Sequence, residues 1–148
     1  AWQALKAACR TGVTVTRVQR VPYALPSVSN LAEVYRYGVE GDFAFYRPGL
    51  PAEEFFEGKH IYVTEAAPNG MTVQRDVRPF VLSAVQPRPE RGGMLLQRCG
   101  DKTAKPEHVI AAWLGVQVPA EAEFTLERLK FIREALYWRD AAGEPHAI

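Results

Sequence analysis

Cysteine is scarce in this chain: Cys9 and Cys99 are the only two among 148 residues, far apart and in no Cys-x-x-Cys pairing. That argues against a zinc site or a dithiol redox motif and leaves reduced thiols as the expectation. Histidine is nearly as scarce. His60, His108 and His146 show neither His-x-x-x-His nor His-Glu-x-x-His spacing, so no metal centre is expected. There is no Gly-x-Ser-x-Gly elbow and no phosphate-binding glycine loop. Glu53-Glu54 and Glu121 with Glu123 could pair as acid and base, but nothing fixes their geometry and a solvated face accounts for them better. With no nucleophile beside a base, the chain is expected not to be an enzyme and to carry no cofactor. No run of about 18 apolar residues is present, so no transmembrane helix is expected, and there is no signal-peptide pattern.

What is present suits an ordinary globular fold. Hydrophobic residues make up 47 % and charged residues 24 %, enough for a core within one domain, or a small domain with an appendage. A net charge of +1 gives no global pull toward nucleic acid. The charge is distributed in blocks: +4 over residues 1–24, −3 over 25–90, +3 over 91–105 and −3 over 106–148. The two basic blocks would form an anion-binding face if the fold brought them together, and plain solvated surface if not. The chain begins at Ala1 rather than Met. That fits removal of an upstream segment such as an organellar transit peptide, or a piece of a longer chain, and leaves the cytoplasm or an organelle such as the mitochondrion as the compartment.

Hydrophobic spacing predicts a short amphipathic helix over 1–10 through Trp2, Leu5 and Cys9, stopped by Gly12. The β-branched run from Val13 to Val18 predicts a strand, ended by Pro22 and Pro26. Further strands are predicted over 31–37, 39–46, 59–65, 71–74 and 77–85. Ala52 to Phe56 reads as one helical turn, and Pro68-Asn69-Gly70 as a tight turn. Residues 87–105 read as a Pro/Gly connector in which Met94-Leu95-Leu96 must bury. Pro106 at a first turn predicts a helix over 107–114, closed by Gly115. Thr125 as an N-cap predicts a last helix from Leu126 to about Asp140. That helix would carry two apolar stripes: Leu126, Leu129, Ile132, Leu136 and Tyr137 on one side, and Phe131, Ala135 and Trp138 on the other. One buried face needs one stripe, so Phe131, Ala135 and Trp138 are the candidate contacts with a partner chain, or else a wrapped fold buries them. The fold class read from this pattern is mainly β with some α. It is a five- to six-stranded barrel over 1–86, a connector over 87–105 and a two-helix appendage over 106–148.

Three short motifs carry a family resemblance. Gly38-Val39-Glu40-Gly41-Asp42-Phe43 is similar, with one extra residue, to the Gly-Val-x-Gly-Phe corner of the S1 domain. Gly58-Lys59-His60-Ile61-Tyr62-Val63 matches its Gly-Lys-x-Ile-x-Val strand, and Val81-Leu82-Ser83 its closing Val-Leu-Ser. Pro26-Ser27-Val28-Ser29-Asn30 stands where the family has a Gly-Gly-x-Val pair. The first 86 residues thus resemble an RNA-binding S1 domain, an OB-type barrel. The resemblance implies single-stranded RNA lying across strands two and three, with aromatics stacking on bases and cations meeting phosphates. The residues it points to are Tyr35, Arg36, Phe45, Tyr46, Arg47, Lys59 and His60. The same aromatics would serve equally as barrel core, and Glu33, Glu40 and Asp42 nearby would repel phosphate.

Two functions follow. One is a non-catalytic RNA-binding or ribosome-associated protein, with single-stranded RNA or a ribonucleoprotein as partner. The other is a protein-only accessory subunit of a large multiprotein assembly, organellar in one version, whose barrel no longer binds RNA. The discriminating feature is whether Tyr35, Phe45, Tyr46 and Arg47 share one exposed face.

Overall fold

The computed structural model describes residues 14–17, 28–120 and 124–148. The helix expected over 1–10, the Pro22–Pro26 turn, Cys9, Glu121 and Glu123 lie outside them. Of the strand expected over 13–18, residues 14–17 are described and form neither helix nor strand. The architecture is mainly β. A five-stranded antiparallel sheet is built from β1 (Val34–Gly41), β4 (Val81–Arg88), β5 (Arg91–Gln97), β6 (Leu129–Arg139) and β7 (Pro145–Ala147), in the order β4-β5-β1-β6-β7. Beside it stands a hairpin of β2 (Tyr62–Ala66) and β3 (Thr72–Asp76). Among the described residues the α-helices are α1 (Val28–Leu31), α2 (Ala52–Phe55) and α3 (Pro106–Leu114). The five-stranded sheet is open, with β4 and β7 at its edges.

One face of the sheet is the inner one. Val39, Met94 and Leu96 bury there together with Phe43, Val63, Val77 and the apolar side of α3. Burying α3 follows from its sequence: Pro106 starts it, Gly115 ends it in the left-handed region at φ 68°, and Val109, Ile110, Trp113 and Leu114 are buried. Each such side chain is worth about 1.5–3 kcal/mol of burial. Trp113 sits 5.5 Å from Phe43, ring to ring, and its indole N–H donates to the Leu50 carbonyl at 2.8 Å.

The expected hairpin turn at Pro68-Asn69-Gly70 is present. Gly70 takes φ 82°, its N–H bonds the Ala67 carbonyl at 3.0 Å, and Asn69 Oδ1 accepts from the Met71 N–H at 3.1 Å. The helix over 107–114 is present too.

Four readings of the sequence are corrected. The strands expected over 31–37 and 39–46 are one strand, β1, followed by a 3₁₀ turn over Phe43–Tyr46. The return expected from 71–74 to 77–85 is replaced by two ladders, β2 with β3 and β4 with β5. The connector contains a strand: β5 lies between β4 and β1 and buries Met94 and Leu96. Its Gly92 and Gly93 read as turn residues, but Gly92 lies against the Phe43 ring, where a Cβ would come 3.4 Å from it.

The fourth correction is the largest. Leu126 to Asp140 is not a helix, because Leu129–Arg139 is the eleven-residue strand β6, paired to β1 and β7. The predicted two-helix appendage therefore has one helix, and strands from all three predicted segments share one sheet. The physical cause is that β6 is apolar on both faces. Leu129, Phe131 and Leu136 lie opposite Gly41, Val39 and Tyr35, while Ile132, Ala135 and Tyr137 lie opposite Gly38, Arg36 and Val34, with Glu134 left as the extra residue of a β-bulge. Apolar residues drawn from both faces of a strand lose the two-residue alternation and fall at three- and four-residue steps, which imitates a helical stripe. The helical stripe on which the partner contacts rested is therefore absent. Phe131 packs on the core, Ala135 lies opposite Arg36, and Trp138 stacks on His146 at 4.8 Å.

Candidate nucleic-acid interface

The seven residues expected to bind RNA fall into three separate groups. None of the hydrogen bonds, ion pairs or ring contacts among the described residues links one group to another. Tyr35 and Arg36 are neighbours on β1, so their side chains leave opposite faces of the sheet. Tyr35 is half-buried and its hydroxyl donates to the Ala32 carbonyl at 3.2 Å. Arg36 reaches Glu134 at 3.3 Å on the outer face. Lys59 and His60 sit in the loop before β2, both exposed. The His60 ring stacks over Tyr62 at 5.9 Å, and Nδ1 lies 2.8 Å from Asp76 Oδ2. This contact, before all others, holds the Asp76 carboxyl below its usual range.

The third group is the most coherent. Asp42 caps the turn after β1, its Oδ1 accepting from the Phe45 N–H at 3.2 Å. The cap projects Phe45 to solvent, where it remains 45 % exposed. Tyr46 packs its ring edge-on against Phe45 at 5.0 Å, and its hydroxyl donates to the Glu127 carbonyl. Partial burial, then Glu127, push the Tyr46 phenol above its usual range. Arg128 comes from the turn before β6 and lays its guanidinium over the Phe45 ring, 4.0 Å from the centroid. It also approaches Asp42 Oδ2 at 3.7 Å. Arg47 closes the turn, exposed and without an ion pair among the described residues.

Arg47 and Arg128 take φ values of 52° and 67°, the only positive values among the described residues other than glycines. Left-handed backbone is unfavourable for a long side chain, and such outliers cluster at functional sites. Here one of them, Arg128, holds its cation over an exposed aromatic ring, and the other, Arg47, ends the turn that carries that ring. Gly41 makes the close approach possible: at φ 145° it lies directly against the Arg128 carbonyl, where no Cβ fits. The Asp42 N–H bonds that carbonyl at 3.2 Å. Sequence reasoning found Phe45, Tyr46 and Arg47 but missed Arg128, because 126–140 read as a helix.

A second polar cluster was also missed. Glu65 and Arg75 on the β2–β3 hairpin meet His108 on α3 beside a cavity of about 260 Å³ whose lining includes Lys105 and Phe124. Arg75 Nη2 lies 3.3 Å from His108 Nδ1. Nδ1 thus faces a donor, the Arg75 guanidinium, and an acceptor, the Glu65 carboxylate, and the tautomer of His108 decides which of them it bonds. Glu65 Oε1 is buried, 3.2 Å from His108 Nδ1 and 3.3 Å from Arg75 Nη2. It has no partner in hydrogen-bond geometry, so charge alone holds it. Burial, the largest effect, pulls the His108 pKa below its usual value, with Arg75 and Lys105 adding to that and Glu65 opposing it. Each of these residues is ordinary in sequence, and only the packing of α3 on the hairpin brings them together. No three His, Cys, Asp or Glu side chains among the described residues are grouped to hold a metal ion.

No protein-family model, no curated protein and no solved structure matches this chain.

Proposed function

We propose that the chain is a non-catalytic RNA-binding protein that holds single-stranded RNA on the turn formed by Phe45, Tyr46, Arg47 and Arg128. The observation that carries this reading is the Arg128 guanidinium stacked on an exposed Phe45, with Arg47, which makes no ion pair among the described residues, two residues along the chain. A base can stack on the aromatic ring or on the guanidinium plane, and Arg47 can meet a phosphate. The site is smaller than the S1 resemblance implied and sits on a turn rather than across strands. In this reading the open sheet and the β2–β3 hairpin are the walls of an S1-like, OB-type barrel.

Fluorescence anisotropy of the chain with labelled oligouridylate, at low and physiological salt, tests it. Phe45→Ala should lose about 1–3 kcal/mol of binding, the worth of one stacked base. Arg47→Gln should reduce the slope of log affinity against log salt by about 0.7, one phosphate contact on a single strand. No binding at low salt would overturn the reading.

One observation favours the accessory-subunit reading. The β2–β3 hairpin exposes Tyr62, Met71 and Val73, and β3 has a ladder partner on one side only among the described residues. An edge with no ladder partner among the described residues, next to exposed apolar side chains, is a template for an added strand from another chain. If RNA binding is absent, Val73→Lys should abolish association with the protein assembly.

A further inference from the structure

The outer face of the sheet carries a second site. Val34, Leu82, Leu95, Tyr137 and Pro145, one from each of the five strands, line a cavity of about 330 Å³ with Arg36 and Arg139. That is the lower end of the range for small-molecule sites.

The charge above the apolar floor is unbalanced in a specific way. Arg139 is half-buried, and its only hydrogen-bond acceptor among the described residues is the neutral Gln97 amide, at 3.0 Å from Nη2. The carboxylates around it are committed elsewhere. Glu33 Oε2 accepts from the Arg139 backbone N–H at 2.7 Å, not from the guanidinium. Asp140 takes His146 Nε2 at 2.8 Å and the N–H groups of Ala142 and Glu144. Glu134 is shared between Arg36 and Arg91. A partly desolvated guanidinium favours a carboxylate-type partner that can accept two parallel bonds, and burying it without one is costly.

We propose that this groove binds a small amphiphilic anion: an aliphatic or aromatic body on Val34, Leu82, Leu95, Tyr137 and Pro145, with a carboxylate or sulfonate head on Arg139. The site is separate from the RNA-binding turn, and the two readings stand or fall independently. A nucleic-acid strand also carries anionic groups, and the test below separates it from a small amphiphile.

Titration calorimetry with decanoate and with decanol tests this, using displacement of anilinonaphthalene sulfonate as a second readout. Decanoate should bind saturably below its micelle concentration, at least tenfold tighter than decanol. Arg139→Gln should remove that tenfold preference and leave decanol binding unchanged. Leu82→Asn, at the exposed rim, should weaken both ligands alike and serves as the second variant should Arg139→Gln unfold, as judged by circular dichroism. No saturable decanoate binding, or equal affinity for decanol, would overturn the proposal. So would displacement of the sulfonate probe by stoichiometric oligouridylate, which would make the groove part of a nucleic-acid surface.

Discussion

The Glu134 carboxylate occupies the space where a side chain at Gly38 would stand. Gly38 lies inside β1, where glycine normally weakens a strand by about 0.5–1 kcal/mol. It is tolerated because the Glu134 side chain from the bulge in β6 lies over it on the outer face, within reach of Arg36 at 3.3 Å and Arg91 at 3.5 Å. The carboxylate is the far end of a flexible side chain, and these ion pairs are half-exposed and weak. Gly38→Ala should therefore be close to neutral, within about 0.5 kcal/mol in urea unfolding, the entropy gain offsetting the displaced pairs. In a Glu134→Ala background the same change should stabilise by about 0.5–1 kcal/mol. Gly41 makes the contrast. Its φ of 145° and the Arg128 backbone carbonyl beside it cannot give way, so Gly41→Ala should cost more than about 2 kcal/mol. Equal effects at the two glycines would contradict this account.

Arg47 joins stability to function through its backbone. Its φ of 52° suits glycine, and its side chain makes no ion pair among the described residues. Arg47→Gly should raise stability by about 0.5–1 kcal/mol, the left-handed strain relieved less the extra freedom of the unfolded chain. The same variant should weaken RNA binding. A gain in one property with a loss in the other marks a strained functional residue; loss of both would mean that Arg47 is needed for the turn itself.

His108 makes stability depend on pH. Burial lowers its pKa in the folded chain, while the unfolded chain titrates near the ordinary value of about 6.5. Between the two values the unfolded state binds more protons. Stability should thus be full above about pH 6.5, fall as pH drops through that value, and level off below the folded pKa. Urea midpoints at pH 7.5, 6.5 and 5.5 should show this fall in the parent chain and a smaller one in His108→Gln. Identical pH dependence in the two would remove His108 as the source.

Legibility in the sequence followed the range of the cause. The Pro68-Asn69-Gly70 turn and the helix from Pro106 to Gly115 depend on near neighbours and could be read directly. The dominance of strands was also legible. β6 was not, because Leu, Glu, Arg and Ala favour helix and apolar residues on both faces of the strand fall at helical spacing. β5 was hidden because Gly92 and Gly93 signal turns, whereas Gly92 is there to admit the Phe43 ring. At the candidate site, Phe45-Tyr46-Arg47 could be read as an aromatic–cation run. Arg128 could not, since its contact with Phe45 forms only once β6 pairs with β1.

Among the described residues β4 is an edge strand, with exposed Leu82 and Val85, a pattern that invites pairing with another chain. Glu53 on α2 blocks part of that edge, its Oε1 accepting from the Gln86 N–H at 2.7 Å in the irregular stretch between Val85 and Arg88. That bond, ahead of any other effect, holds the Glu53 carboxyl below its usual range. The sign follows: the block is present above the ordinary glutamate pKa and is lost only as pH falls through the lowered one. Glu53→Ala should free the N–H at neutral pH and raise self-association, seen as a concentration-dependent rise in sedimentation coefficient at pH 7. Glu53→Gln keeps an oxygen acceptor and should remain like the parent chain. Adding Val85→Lys to Glu53→Ala should suppress the association, since a charge on the edge works against strand pairing. An unchanged sedimentation coefficient in Glu53→Ala would mean that Pro87 and the irregular ladder protect this edge without Glu53.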